Sequence, residues 1–277
     1  MSTGPTHAMS GLVAWAGLTT FAGTEALGEL SIKTWLVGAT LCAGAALLPD
    51  IDHPQSTVAS TFGGVSRGTS QAFAGLSGFV YRLTRTRHDS DRSGTHRSFT
   101  HTVVFAVLAG LITTAIVQTS QGAVLGVLMF VFAGIAVRGI MHTWNPDKDA
   151  LLIAATSLLL TAACWAWAGD QPANAAAFGV AVMLGCATHQ IGDAITELGC
   201  PMLWPVPLKG RTWYALAPPK PLRMRTGGRV EMALVGPGLT VLAAVLSLVV
   251  LFRLGGAPWV SDLGLPPEVM AWMVPHS

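Results

Sequence analysis

Charged residues are scarce in this chain of 277 residues. Asp, Glu, Lys and Arg make up 11% of it, against roughly 25% in an ordinary soluble domain. The net charge is only +2, so the chain lacks the large field of one sign that is typical of nucleic-acid binding. Hydrophobic residues make up 51% of the chain, and the mean hydropathy is +0.54. We therefore expect an integral membrane protein with no nucleic acid among its partners.

Several sequence signatures are also absent. The four cysteines form no CxxC pair and three lie in apolar runs, which favours buried free thiols over a disulfide framework. No basic stretch precedes the first apolar run, so we expect no cleaved signal peptide. The chain contains no HExxH, P-loop or dinucleotide-binding motif. The segment Gly64–Gly68 matches G-x-S-x-G, but no strand pattern surrounds it, so we do not assign a nucleophile elbow.

Apolar runs long enough to span a membrane, which takes about 20 residues, occur seven times. In chain order they are 7–24, 33–49, 101–118, 121–140, 150–168, 174–193 and 230–252. The predicted fold class is therefore all-α, a polytopic membrane helix bundle of about seven transmembrane helices. Between these runs, residues 71–83 are amphipathic and predict an interfacial or re-entrant segment. The Ser/Thr/Gly-rich residues 54–70 predict a mobile loop.

The basic residues indicate an orientation in the membrane. With the N-terminus in the cytoplasm, the cytoplasmic segments hold 14 of the 16 Lys and Arg residues, and only Lys33 and Arg253 lie outside. We therefore predict a multi-pass inner-membrane protein with a cytoplasmic N-terminus. The predicted organisation is a membrane-embedded domain over 1–253, with a mobile cytoplasmic insertion at 54–95 and a basic loop at 201–229, followed by an extracytoplasmic tail at 254–277.

Ionisable side chains collect at one end of the predicted helices. Seven of the eight histidines fall on the cytoplasmic side, although only Lys and Arg were used to orient the chain. The residues at these helix ends are His7, Asp50, Asp52, His53, His96, His101, His142, Asp147, His189, Asp193 and Glu231. Ionisable groups inside spanning segments are costly and usually functional. Because imidazoles and carboxylates are ligands for zinc, manganese and iron, the pattern predicts a metal site.

Spacing shows which of these residues can converge. His189 and Asp193 are four residues apart, so they share one helix face. His96 and His101 are five apart, about 140° around a helix. These two histidines converge only if His96 lies in the loop before a helix and His101 lies in its first turn.

The sequence leaves two questions open, the helix cap after His96 and the roles of the two aspartates. The N-cap of the helix after His96 is Ser98 or Thr100, since both side chains suit that position. Asp50 and Asp52 follow a proline, where extended backbone points them in opposite directions. One carboxylate can therefore ligate a metal while the other orients a histidine or acts as a base.

Other ionisable residues have simpler interpretations. His88 and His142 are expected at the membrane interface, and Asp89 and Asp91 are expected to balance the arginines around them. Glu231 is either a favourable charge at a helix N-terminus or a member of the site.

Four motifs in order resemble a known family. They are T-H-x3-G at Thr6–Gly11, LLPDIDHP at Leu47–Pro54, HRSFTHT at His96–Thr102 and H-x3-D-x2-T-x2-G-x4-WP at His189–Pro205. Together they are similar to the YdjM-type, LexA-regulated, membrane-bound metal-dependent hydrolases, which are distantly similar to zinc-dependent phospholipase C and S1/P1-type nucleases. The resemblance implies phosphoester hydrolysis at one or more metal ions, most often Zn²⁺, with Mn²⁺ as the alternative. The ligands that it implies are His7, Asp50 or Asp52, His96, His101, His189 and Asp193.

We therefore expect a membrane hydrolase with a metal site that faces the cytoplasm. A metal ion lowers the pKa of a bound water and polarises the bond to be cleaved, and Asp50 or Asp52 would act as base. Arg97, with Arg211, would hold an anionic phosphate, so a phospholipid or lipid-linked phosphate is the expected substrate. The alternatives are a metal-ion or proton-coupled transporter and a non-catalytic protein stabilised by metal.

Overall fold

A computed structural model describes residues 3–22, 27–28, 30–120, 123–141, 146–167 and 174–255. The described residues form α-helices and no strand, which confirms the predicted all-α class. The helices are α1 (Gly4–Phe21), α2 (Ile32–Ala45), α3 (Thr57–Ser60), α4 (Gly64–Thr84), α5 (Val103–Thr119), α6 (Ala123–Ile140), α7 (Pro146–Trp167), α8 (Ala175–Ala194) and α9 (Gly236–Gly255). Three 3₁₀ turns (Leu48–Asp52, Phe99–His101 and Lys220–Leu222) and one π-helical turn (Glu231–Val235) complete the helical structure.

Each predicted apolar run corresponds to one of these helices. Three helical stretches are long and apolar enough to cross a membrane, namely Ile32–Asp52, Ala175–Ala194 and Glu231–Gly255. Shorter apolar helices cover Val103–Thr119, Val124–Ile140 and Asp149–Ala163. The number of spans and the side of the N-terminus stay predictions, and residues 256–277 of the predicted tail lie outside the described residues.

Helices α1, α2 and α8 approach one another at glycines. A Cβ atom on Gly11 of α1 would lie 2.7 Å from the carbonyl oxygen of Cys42 in α2, and one on Gly185 of α8 would lie 2.4 Å from the same oxygen. Small residues allow such close backbone packing in membrane bundles. The close packing brings together the helix ends that carry His7 and His189.

Residues 54–70 are mostly helical, so the predicted loop is wrong for this segment. Serines close the helix ends: Ser56 Oγ accepts from Ala59 N at the start of α3. Ser66 Oγ accepts from Phe62 N and donates to Ala59 O. Their hydroxyls satisfy backbone groups that helix ends leave open, and composition alone does not distinguish that use from a solvated loop.

Helix α4 contains the amphipathic segment predicted at 71–83. Its exposed apolar side chains recur along one helical face, at Val65, Leu76, Phe79 and Leu83. Another face of α4 packs against the 3₁₀ turns Leu48–Asp52 and Phe99–His101. The segment is thus the second half of a 21-residue helix that supports the ionisable residues.

The cap of α5 differs from both predicted choices. Thr102 is the N-cap, and its side chain accepts from Phe105 N at 3.2 Å. His101 therefore lies in the 3₁₀ turn before α5 instead of in its first turn. The hydroxyl of Thr100 is left for a different partner.

Candidate metal centre

The ends of four helical segments meet at one buried point. His7 lies in the first turn of α1, and Asp50 lies in the 3₁₀ turn that follows α2. His101 closes the 3₁₀ turn before α5, and His189 and Asp193 lie in the last turns of α8. All five residues are buried, each at most 7% exposed. The predicted meeting of these residues is therefore present in the structure.

Four of these residues form what we call the ligand cluster: Asp50, His101, His189 and Asp193. One ligand atom from each lies within 4.8 Å of all the others. Asp50 Oδ1 is 3.4 Å from His101 Nε2 and 3.5 Å from His189 Nε2. Asp193 Oδ2 is 3.6 Å and 3.8 Å from the same two nitrogens. Two imidazoles and two carboxylates form a donor set that suits zinc, manganese or iron.

Hydrogen bonds orient both histidines of the ligand cluster. His189 Nδ1 donates to Ala46 O at 2.8 Å. Thr100 Oγ1 donates to Asp52 Oδ2 at 2.6 Å, so it accepts from His101 Nδ1 at 3.0 Å. Because each Nδ1 carries the proton, each Nε2 presents a lone pair to the cluster. Partners of this kind fix the tautomer of metal-binding histidines.

A bound cation would give a partner to buried polar atoms of the cluster. Among the described residues, Asp50 Oδ1, His101 Nε2 and His189 Nε2 make no hydrogen bond, and buried polar atoms without partners are rare in native proteins. With the histidines neutral, the described part of the site holds three buried carboxylates, Asp50, Asp52 and Asp193, and one buried guanidinium, that of Arg97 beside Asp193. A divalent cation would balance the remaining negative charge, so the residues fit a metal ion.

Asp52 has a different environment from Asp50. Its Oδ1 accepts from His96 Nδ1 at 2.7 Å, and its Oδ2 accepts from Thr100 Oγ1. Asp52, His96 and His101 also form a second group of potential ligands. The structure thus places Asp50 inside the ligand cluster and Asp52 behind its histidines.

His7 lies against the other side of the cluster. Its ring stacks on that of His189 with centroids 3.9 Å apart. Its Nε2 is 3.6 Å from Asp193 Oδ1, the oxygen that faces away from the four-residue group. His7 can therefore act as a further ligand or as a proton carrier beside Asp193.

Arg97 joins the cluster to a basic cavity. Its Nη2 is 3.0 Å from Asp193 Oδ2, and its Nη1 donates to Gly199 O at 2.8 Å. A cavity of about 610 Å³ opens beside it. The cationic and imidazole side chains in its wall are His88, Arg92, Arg97 and Arg211. Such a wall suits an anionic group, and it contains both Arg97 and Arg211, the residues predicted to hold a phosphate.

Asp89 has a role that the sequence did not indicate. Its carboxylate accepts from the backbone N–H groups of Thr86, Thr212 and Trp213, so it ties two loops around the cavity together. Burial raises the pKa of Asp89, but these hydrogen bonds outweigh burial and hold the pKa below its ordinary value. The predicted role of balancing the positive charge of nearby arginines applies to Asp91 instead, because Asp91 pairs with Arg85.

Of four other residues singled out in the sequence, two can be located in the structure, Glu231 and His53. Glu231 is buried and accepts from Thr3 N at 2.6 Å and Gly227 N at 2.8 Å, so it fastens the start of the chain to the loop before α9. His53 packs edge-on against His96 and is not in the ligand cluster. His142 and the side chain of Asp147 lie outside the described residues.

Thr100 and Ala46 are the parts of the site that sequence reasoning missed. Thr100 stands inside the HRSFTH stretch, where its type suggested only a helix cap. Ala46 contributes its carbonyl oxygen, and no side-chain pattern can signal a backbone acceptor. Both contacts depend on which segments meet in space.

The residues of the site occur within a region that matches a known family. The model of the family described as YdjM inner membrane protein matches residues 1–256. A search of curated proteins and a search of solved structures found no match. The match covers most of the chain, including every residue of the ligand cluster, and agrees with the apolar helices of the fold. The chain belongs to the YdjM family of inner membrane proteins.

Proposed function

We propose that this protein is a metal-dependent hydrolase that cleaves a phosphoester of a membrane lipid at the cytoplasmic face of the inner membrane. The observation that carries the proposal is the convergence of Asp50, His101, His189 and Asp193 on one buried point. The oriented Nε2 atoms of the two histidines and the buried negative charge support a divalent metal ion there.

The proposed chemistry divides between the metal and the side chains around it. A divalent ion, when bound, supplies Lewis-acid polarisation of the phosphoester and lowers the pKa of a water. The four residues of the ligand cluster would hold this ion, and His7 would stand beside Asp193. Asp52 holds His96 through a 2.7 Å hydrogen bond, and His96 is partly exposed, so this pair is placed to move a proton between the cluster and water.

The basic cavity supports an anionic substrate. Arg92 and Arg211 line it next to Arg97, and guanidinium groups bind phosphate oxygens through paired hydrogen bonds. Arg97 itself is bound to Asp193 and Gly199. We therefore assign phosphate binding chiefly to Arg92 and Arg211, and we assign to Arg97 the positioning of Asp193.

The location of the cluster supports hydrolysis over transport. Transporter sites generally lie near the bilayer midplane, where helices are broken. Here the ligands lie at helix ends and in the turns beside them, and we infer that these helix ends lie at the level of the lipid headgroups.

Metal analysis of detergent-purified protein tests the proposal first. We expect about one or more zinc or manganese ions per chain in the wild type and none in His101→Ala or Asp193→Ala. The exposed His88 provides a matched control, since His88→Ala should keep the metal. Metal-loaded wild type should then hydrolyse phosphoesters that His101→Ala does not. Absence of stoichiometric metal after loading, or metal flux into vesicles without any hydrolysis, would contradict the proposal.

A further inference from the structure

A second depression reaches His7, which lies against the ligand cluster. It is a groove of about 280 Å³ between α1, α8 and α9. Most of its wall is apolar and includes Val13, Ala14, Ile191, Ile195 and Leu239. The polar residues in the wall are Thr6, His7, Ser10 and Thr188.

The groove runs along the helices from the site towards the middle of the bundle. On α1 it extends from Thr6 to Ala14, about 12 Å at 1.5 Å per residue. Two of its three helices, α8 and α9, are long and apolar enough to cross a membrane. The wall that α8 and the residue after it contribute to the groove is exposed and apolar, with Ile191 54% and Ile195 40% exposed. In a bilayer, this wall and the open side of the groove border lipid.

Asp193 lies between the apolar groove and the basic cavity. Its Oδ1 faces His7, which lines the groove, at 3.6 Å. Its Oδ2 faces Arg97, which lines the cavity, at 3.0 Å. The ligand cluster thus has an apolar site on one side and a basic site on the other. A single molecule with both properties is an anionic amphiphile.

We propose that the groove between α1, α8 and α9 binds one acyl chain of the lipid substrate, with the glycerol end of that chain at His7. This inference rests on the proposed hydrolase function for the identity of the substrate. The groove volume lies just below the roughly 300–1,000 Å³ of small-ligand pockets. Over the length of about 12 Å that it follows on α1, it accommodates the first part of one acyl chain, and none of its lining residues is a Lys or Arg that would bind an anionic headgroup. The headgroup belongs to the side with Arg92 and Arg211.

A second apolar depression in the protein serves as a control. It lies between α6 and α7, has a volume of about 430 Å³, and is lined by Val137, Ile140, Met141, Thr156, Leu159 and Leu160. None of these residues belongs to the ligand cluster. A general affinity of apolar surfaces for lipid would label both depressions, whereas a substrate site would be confined to the first.

Photolabelling in bilayers of defined composition tests the inference. The protein is reconstituted with phosphatidylglycerol that carries a diazirine in the part of one acyl chain nearest the glycerol. We expect adducts on groove residues such as Val13 and Ile195. Leu239→Trp should fill the groove and reduce these adducts about tenfold. The matched variant Leu159→Trp, in the α6/α7 depression, should leave them unchanged.

Labelling requires no turnover, so its outcome is separate from that of the hydrolase assay. Equal labelling of all lipid-facing surfaces, or groove adducts that persist in Leu239→Trp, would overturn the inference. Thermal unfolding and zinc content of the two tryptophan variants establish that both are folded. In a hydrolysis assay, Leu239→Trp should lose turnover of the long-chain lipid and keep turnover of a soluble short-chain phosphoester. Groove labelling in a protein that hydrolyses neither compound would support the acyl-chain site and count against the hydrolase.

Discussion

The hydroxyl of Thr100 decides which nitrogen of His101 faces the ligand cluster. It donates its proton to Asp52 and therefore accepts from His101 Nδ1. Without this acceptor the imidazole can adopt the other tautomer or rotate, and its Nε2 lone pair is no longer aimed at the ligand cluster. The proposed role of His101 as a metal ligand thus depends on Thr100, which is not itself a ligand.

We predict that Thr100→Ala weakens zinc binding by about 10- to 100-fold, the range found when the partners of metal-binding histidines are removed. Thr100→Ser keeps the hydroxyl and should restore most of the affinity. Competition with a chromophoric chelator measures both variants against wild type. Equal affinities of Thr100→Ala and wild type would refute the assigned role of the hydroxyl.

Helical elements and loops contribute to the site in different ways. Helices α1, α2 and α8 set the distance between ligands through the contacts of Gly11 and Gly185 with Cys42. The basic cavity is shaped by loops instead, and Asp89 is the point at which residues 86–89 are fastened to Thr212 and Trp213. The cavity wall therefore depends on the ionised form of one carboxylate.

Asp89→Asn should loosen the 209–215 segment at neutral pH. We expect a loss of about 1 kcal/mol of local stability. This value is lower than is usual for hydrogen bonds to a charged group, because Asp89 is only partly buried and solvent screens its charge. The pKa of Asp89 is lowered in the folded state, so the stabilisation is present above its ordinary pKa and is lost as the pH falls through the lowered value.

Hydrogen exchange at the amides of Thr212 and Trp213 measures this effect. Protection should be lower in Asp89→Asn than in wild type at pH 7, and the difference should disappear at strongly acidic pH. Asp91→Asn is the control, because the Asp91 side chain is 91% exposed and should change nothing. A difference between Asp89→Asn and wild type that is independent of pH would show that charge is not the cause.

For the molecule as a whole, we expect the buried charges to make stability depend on a bound metal. With the histidines neutral, the three buried carboxylates of the described site exceed its one guanidinium and repel one another in the metal-free state, because Coulomb interactions are weakly screened inside a protein. A bound dication removes that repulsion and adds ligand bonds. Stabilisation by a ligand grows with its concentration, reaching about 2.7 kcal/mol at 100 times the dissociation constant.

Asp50→Asn should therefore have opposite effects in the two states. In the presence of chelator it should unfold at a higher temperature than wild type, because one buried negative charge is gone. With saturating zinc it should unfold at a lower temperature, because a ligand is lost. Thermal unfolding in detergent, with Asp91→Asn for comparison, checks both signs. A variant less stable than wild type under both conditions would show that Asp50 has a structural role unrelated to metal.

The class of the protein and the candidate ligands of its site can both be predicted from the sequence alone. Low charge and long apolar runs are sufficient to predict a membrane helix bundle, because a bilayer requires about 20 apolar residues for each spanning helix. Ionisable residues near the ends of such runs stand out against an apolar background. For this reason the sequence predicts a set of candidate ligands that includes all four residues of the ligand cluster, together with His7, His96 and Asp52.

Which of these candidate residues lie together in the ligand cluster follows from the tertiary structure and not from the sequence. Asp50 and Asp52 are two residues apart and chemically identical, but the 3₁₀ turn directs Asp50 to the ligand cluster and Asp52 to His96 and Thr100. The acceptor at Ala46 is a backbone atom, and the segment 54–70 is helical because its serines bond to helix ends. These outcomes depend on contacts between segments distant in the chain or on competition between water and backbone for a hydroxyl. Neither is encoded in local composition.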